Sequence, residues 1–331
     1  MTRFRTIDYH TAGEPFRIVV HGAPPIDGDS VLARREAAIH GPADGVRRLL
    51  CNEPRGHADM YGCFLVPPDG PGAVFGTLFW HKDGFSTACG HGTIALAAYA
   101  VDEGIVAAPA DGEVTLAIDV PSGRVGATVR RAGGRTVSIA FTNVPGHVVA
   151  RGLEVPTSAG MVLVDVGYGG AIYATAPAAQ IGAAITPQHL PSMIAVGREI
   201  KAALTGTDAA RHPTDDRLSG IYGTIWYDDL GDRPDGPHQR NCTVFADGEV
   251  DRSPCGSGTS TRLVLLHDDG RIRAGQVLRH DSIVGSTFLG RVLGVGPTGV
   301  ITQVEGNAFR TGEHTFVLDP ADPLGDGFQL R

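Results

Sequence analysis

The chain has 331 residues, 42% of them hydrophobic and 19% charged, with 28 Lys and Arg against 36 Asp and Glu for a formal net charge of −8. That is the composition of a globular protein long enough for two domains, and the negative balance without a basic cluster argues against a nucleic-acid surface. The longest apolar runs, such as Ile94 to Val101, are far too short to span a bilayer, and five cysteines in so long a chain do not make a disulfide scaffold.

Along the chain, Phe4 to His10 and Pro15 to His21 read as two strands joined by the turn Thr11-Ala-Gly-Glu14. Residues 30–50 carry a helical pattern. A polar loop follows, Glu53-Pro-Arg-Gly-His57-Ala-Asp59-Met-Tyr-Gly62, then strands over 63–67 and 74–81. Residues 113–118, 124–129 and 136–141 alternate strand-like runs with glycine turns, and Asn143-Val-Pro-Gly146 breaks the pattern. We expect a domain boundary near residue 155. The second half opens with a strand over 161–166 and the turn Gly167-Tyr-Gly-Gly170, and continues with a helix over 187–205 and a strand over 220–226. An exposed Pro/Gly/Asp loop is expected over 231–238, then a strand over 241–245. Short strands and turns fill the rest.

One stretch is written twice. Arg252-Ser-Pro-Cys255-Gly-Ser-Gly-Thr259 repeats the Cys-Gly-x-Gly-Thr pattern of Ser86-Thr-Ala-Cys89-Gly-His-Gly-Thr93, 166 residues (255 − 89) further on. Each copy runs into a helical pattern that stops at a glycine, Gly104 or Gly270. The first amides of a helix lack internal partners and carry the positive end of its dipole. A thiol there is expected to ionise below its usual pKa of about 8.5, and the free amides can hold a carboxylate. Two such ends facing one carboxylic acid would put a sulfur on each side of its α-carbon, an arrangement suited to removing a proton from one face and returning it to the other. Cys51, Cys63 and Cys242 have no such context and are expected in the core. No Cys-x-x-Cys or His/Cys ligand spacing is present, so no metal is expected.

These motifs resemble those of the proline racemase family, whose fold is shared with diaminopimelate epimerase. The resemblance also rests on His10-Thr-Ala-Gly-Glu-Pro15, Glu53-Pro-Arg-Gly-His-Ala-Asp-Met60, Val164-Asp-Val-Gly-Tyr-Gly-Gly170 and His280-Asp-Ser-Ile-Val-Gly285. It implies an α+β fold of two similar α/β domains, 1–155 with 306–331 and 156–305. Each is then a curved, mostly antiparallel sheet around a central helix, with the active site in the cleft between them. It implies no cofactor, Cys89 and Cys255 as the acid–base pair, Gly90, His91, Gly256 and Ser257 against the substrate, and Asp251 near its ring nitrogen. His57 and Asp59 form a second tier. The expected activity is racemisation or epimerisation at the α-carbon of proline or a hydroxyproline. A cysteine at both positions favours it.

Arg55-Gly-His-Ala-Asp-Met60, Gly220-Ile-Tyr-Gly-Thr-Ile-Trp226 and Asp319-Pro-Ala-Asp-Pro-Leu-Gly-Asp-Gly-Phe328 look more like the trans-3-hydroxyproline dehydratase branch, which commonly has threonine at the position of Cys255. That branch is the alternative, and a member inactive on the usual prolines is a further one. Partners are expected to be a small-molecule substrate, with no nucleic acid and no membrane and a homodimer left open. The first residues, Met1-Thr-Arg-Phe-Arg5, lack a signal-peptide core, so a cytoplasmic location is expected. Two readings of another class compete. Gly90-His-Gly92-Thr-Ile-Ala95 also fits a dinucleotide fingerprint, though it leaves the second copy unexplained. A non-catalytic imino-acid binder would need the amides but not the thiols.

Overall fold

The computed structural model describes residues 2–330. Two compact units make up the chain, 1–139 with 307–331 and 140–306. A division near residue 155 would cut the ladder between strands that pair across residues 147–168, so the break falls earlier.

The N-terminal stretch contributes β1 (Thr2–Thr11), β2 (Glu14–His21), α1 (Val31–His40), α2 (Pro42–Cys51), β3 (Gly62–Val66), β4 (Phe75–His81), β5 (Gly84–Phe85), α3 (Gly90–Asp102), β6 (Gly112–Val120), β7 (Gly123–Ala132) and β8 (Arg135–Thr142). The helix expected over 30–50 is two helices. Gly41 is extended, and Pro42, which has no N–H to give, takes the first position of α2. The middle stretch contributes β9 (His147–Thr157), β10 (Gly160–Tyr168), β11 (Ile172–Pro177), α4 (Leu190–Leu204), β12 (Ile221–Arg233), β13 (Gly236–Phe245), β14 (Glu249–Asp251), α5 (Gly256–Asp268), β15 (Leu278–Ser282), β16 (Thr287–Gly296) and β17 (Gly299–Gly306). The loop expected over 231–238 is instead the tip of the β12–β13 hairpin, with Arg233 paired to Gly236. Its exposed part ends at Asp235. Strand β18 (Ala308–Leu318) belongs to the first unit.

The two units repeat one strand plan. In the first, β18, β1 and β2 are antiparallel neighbours, β2 runs parallel to β3, β3 pairs antiparallel with β4, and β4 runs parallel to β6. In the second, β9, β10 and β11 are antiparallel, β11 is parallel to β12, β12 is antiparallel to β13, and β13 is parallel to β15. A parallel pair cannot be closed by a hairpin and needs a crossover, usually a helix. In the first unit α3 is the crossover from β4 to β6, and in the second α5 is the crossover from β13 to β15. Every residue of α3 and α5 except the last two is buried, which explains why neither has a polar stripe. In the first unit α3 touches β1, β2, β7 and β18. In the second, α5 touches β9, β10, β11, β16 and β17. Each sheet therefore closes round its helix. A second core layer in the first unit packs Val31, Ala38 and Leu50 of α1 and α2 with Phe64, Leu78 and Trp80. Among the described residues no helix is long and apolar enough to cross a membrane.

Candidate active site

Crossover helices in α/β units present their N-terminal ends beyond the carboxyl ends of the parallel strands, where ligands commonly bind. The cysteine of each repeated motif stands at that point. Cys89 is the N-cap of α3, extended at φ −157° and ψ 106°, and its sulfur accepts the Gly92 amide at 3.2 Å. The sulfur thus folds back over the first turn. The second glycine of the motif makes that fold possible: a Cβ on Gly92 would lie 2.8 Å from the sulfur and 2.5 Å from Cε2 of Phe16. The motif threonine closes the turn, with the Thr93 hydroxyl and amide both donating to the Cys89 carbonyl at 2.8 and 3.0 Å.

His91 is buried beside the sulfur. Its Nδ1 and Nε2 are 3.4 and 3.5 Å from Sγ, so both ring nitrogens are within hydrogen-bonding reach of the sulfur. The ring meets Tyr61 edge-on at 4.8 Å and Phe16 at 5.8 Å, and the Tyr61 hydroxyl is held by Ser86 at 2.6 Å. The Thr11 hydroxyl donates to the His91 carbonyl at 2.9 Å, which ties the first glycine turn of the chain to the helix start. Burial lowers the imidazole pKa to about 3, so at neutral pH the ring beside Cys89 is uncharged.

The second unit builds the same corner differently. Cys255 is the N-cap of α5, but at φ 62° and ψ 108°, a left-handed conformation that a non-glycine residue adopts only when its surroundings force it. The surroundings do so through the preceding carbonyl. Pro254 O accepts from Asn241 Nδ2 at 2.6 Å and from the Thr259 hydroxyl at 3.1 Å. Both donors also meet His280, Asn241 Nδ2 at Nε2 (2.9 Å) and Thr259 Oγ1 at Nδ1 (2.8 Å). The set closes when Nδ1 carries the imidazole proton and Nε2 accepts. Burial keeps this ring neutral, lowering its pKa to about 3. On the other flank Ser253 Oγ accepts the Cys255 amide at 3.0 Å and donates to Asp251 Oδ1 at 2.7 Å, while the Ser253 amide reaches the same oxygen at 2.8 Å. Gly258 mirrors Gly92: a Cβ there would stand 2.9 Å from the Cys255 sulfur.

Burial pushes the Cys255 thiol pKa well up, and the neighbouring Asp251 carboxylate adds to it. Asp251 is itself raised, first by burial. The helix start was expected to favour the thiolate; at Cys255, desolvation and a like charge outweigh the dipole. Two groups act the other way on Cys255, Tyr173 and the Gly258 amide. Tyr173 had no place in the sequence reading. Its hydroxyl lies 3.7 Å from the Cys255 sulfur and 2.7 Å from Ser257 Oγ. The available signal was a tyrosine three residues past Gly169-Gly170, since a buried phenol requires a partner.

Of the expected site residues, Cys89, Gly90 and His91 gather at the α3 start, and Asp251, Cys255, Gly256 and Ser257 at the α5 start. His57 and Asp59 belong to the loop after α2. His57 is exposed, and its Nδ1 accepts the Asp59 amide at 3.2 Å in a local turn. Cys51, Cys63 and Cys242 are buried free thiols, and burial raises Cys63 and Cys242 to about 12, which makes them inert.

A sequence profile described as proline racemase matches residues 6–329. The chain is 42% identical to a trans-3-hydroxy-L-proline dehydratase of Burkholderia cenocepacia, with 98% of each chain covered. It is also 42% identical to a 3-hydroxyproline 2-epimerase of Burkholderia multivorans, again with 98% of each covered. A crystal structure of a hydroxyproline epimerase from Agrobacterium vitis, with bound trans-4-hydroxy-L-proline, superposes with a TM-score of 0.90 at 28% identity, covering 99% of this chain and 96% of that one.

Proposed function

This chain belongs to the proline racemase family and is an enzyme of the isomerase or lyase kind, and from that premise we propose that it is a cofactor-independent 2-epimerase of 3-hydroxyproline. In this reading Cys89 and Cys255 flank the α-carbon of one substrate. One sulfur, as thiolate, takes the α-proton; the other, as thiol, gives its proton to the opposite face; the roles exchange in the reverse direction. The amides at the starts of α3 and α5 hold the substrate carboxylate and stabilise the charge that gathers on it as the proton leaves. His91, neutral, shapes the Cys89 side without adding charge, and Asp251 meets the ring nitrogen. The observation that carries the reading is the second sulfur: each unit folds a cysteine back over the first turn of its crossover helix. A relative named as a 3-hydroxyproline 2-epimerase supports the choice of substrate. Five free thiols suit a reducing compartment, so the proposal places the enzyme in the cytoplasm.

The test is NMR in D₂O with trans-3-hydroxy-L-proline, 4-hydroxyprolines and both prolines. Expected is deuterium at the α-carbon of the 3-hydroxyproline, its 2-epimer as product with the hydroxyl retained, and loss of inversion in both Cys89→Ser and Cys255→Ser. Full inversion by either variant, or no α-exchange with any of the panel, overturns the reading. One observation favours a second outcome: a Cys255 thiol held protonated by burial and Asp251 is also fit to protonate a leaving 3-hydroxyl. A dehydratase would take the α-proton, expel water and release a cyclic enamine that tautomerises to the imine. Appearance of that imine, detected with an o-aminobenzaldehyde reagent that condenses with cyclic imines, identifies it.

A further inference from the structure

The Cys255 sulfur has to hold and release a proton inside a buried corner, yet it stands beside Asp251, whose carboxyl opposes a thiolate there. The sulfur also meets the Gly258 amide and a pair of linked hydroxyls. Tyr173 of β11 presents its phenol oxygen 3.7 Å from the sulfur, and Ser257 of α5 stands 2.7 Å from the same oxygen. All three residues are buried. Tyr222 of β12 meets the Tyr173 ring edge-on at 5.4 Å and itself stacks on Phe245 at 5.6 Å, so the ring is held. Arg252 lies beside Asp251. His280 of β15 is one layer back, against Asn241 and Thr259.

A phenol has one proton to donate and lone pairs to accept with. We propose that Tyr173 is a positioning residue that serves as a two-state hydrogen-bond switch for Cys255, with Ser257 as its alternative partner. When the sulfur is a thiolate, Ser257 donates to the phenol oxygen and the phenol O–H points to the sulfur. When the sulfur has taken a proton, the phenol O–H turns to Ser257. Only two hydroxyl hydrogens rotate, no heavy atom moves, and the phenol keeps its own proton throughout; the transferred proton passes between substrate and sulfur alone. The inference deepens the reading of Cys255 as a proton carrier and rests on it.

The test uses the full chain and needs no turnover. Iodoacetamide alkylation is followed at one mildly alkaline pH, with each cysteine resolved by peptide mass spectrometry and Cys89 as internal reference. Below the thiol's pKa, the rate follows the thiolate fraction. Tyr173→Phe keeps the ring and its stacking but removes the donor, so the Cys255 rate is expected to fall roughly tenfold while Cys89 is unchanged. Ser257→Ala leaves the phenol aimed at the sulfur and is expected to change the rate less than threefold. Replacing Tyr173 with 3-fluorotyrosine, a more acidic donor, is expected to raise it. An unchanged Cys255 rate in the Phe variant overturns the proposal, as does an equal fall at Cys89. If the reagent reaches Cys255 in neither protein, the pH profile of α-proton exchange decides. Its thiolate limb moves up by about one pH unit in the Phe variant or the proposal fails. Loss of the function reading alone is recognised separately, by absent exchange together with the alkylation shift.

Discussion

Gly92→Ala tests whether the Cys89 sulfur is held in place by a missing methyl group. The added Cβ would sit 2.5 Å from Cε2 and 2.8 Å from Cζ of Phe16, and 2.8 Å from the Cys89 sulfur, about 1 Å inside an ordinary carbon contact. Phe16 cannot retreat: it is fully buried and packs on Tyr61, Phe79 and His91. The sulfur must swing away, and the Gly92 amide loses its 3.2 Å acceptor. Overpacking of this kind costs about 1–3 kcal/mol. The gain in helix propensity, at most about 1 kcal/mol, offsets part of it. We expect a net loss of about 1–2 kcal/mol and at least a tenfold fall in α-proton exchange, since small misplacements of reacting groups are costly. The chain has two tryptophans, Trp80 in the first unit and Trp226 in the second. Urea unfolding followed by Trp80 fluorescence in a Trp226→Phe background therefore reads the affected unit alone. Gly45→Ala in α2, where a Cβ meets nothing within 4 Å, is the control and should stabilise by about 0.5–1 kcal/mol. A Gly92→Ala protein as stable as its parent, exchanging within twofold of it, would refute the reasoning.

Acid should loosen the second unit through His280. Its folded pKa of about 3 lies below the unfolded value of 6.5, so the neutral-ring stability is complete above pH 6.5 and drains away as pH falls towards 3. The expected slope is about 1.4 kcal/mol per pH unit from this one proton. His280→Asn should flatten the Trp226-reported profile by that amount between pH 6 and 4; equal slopes in both proteins contradict it. In the first unit, Asp8 pairs with Arg17 at 2.9 Å, and Arg17 also donates to the Leu50 and Arg55 carbonyls. Asp8→Ala strands a buried cation and is expected to cost about 3–5 kcal/mol in Trp80-monitored urea unfolding; a loss under 1 kcal/mol would show that water reaches the guanidinium. Asn241→Ala removes the 2.6 Å donor from the Pro254 carbonyl and should relax the Cys255 backbone. The expected result is a fall in exchange rate with substrate affinity changed far less; unaltered exchange argues that Thr259 suffices.

The corners that hold Cys89 and Cys255 were legible because local chemistry writes them. A cysteine followed by Gly-x-Gly-Thr and an apolar run specifies a helix start, and Gly104 and Gly270, both at φ +68°, end the helices where glycine predicts. The paired strands over 4–21 and 113–141 were likewise visible in alternation and turns. Other features depend on partners remote in sequence. Strand β9 follows a Pro-Gly break at Pro145-Gly146 and owes its existence to β10. The parallel pairs β4–β6 and β13–β15 are joined across 30 and 32 residues of intervening chain (82–111; 246–277), and no local pattern announces them. The state of the Cys255 thiol was misjudged for the same reason. The helix end favours ionisation and can be read locally, whereas the burial and the carboxylate that oppose it come from the folded neighbours.

The pairing of β18 with β1 along its full length bears on the order in which the protein is made. The second unit is one unbroken segment, whereas the first recruits its last strand from beyond residue 306. A growing chain thus carries an early strand with an open hydrogen-bonding edge through the synthesis of the whole second unit. Such edges invite mispairing with other chains. The half translated first is the half finished last.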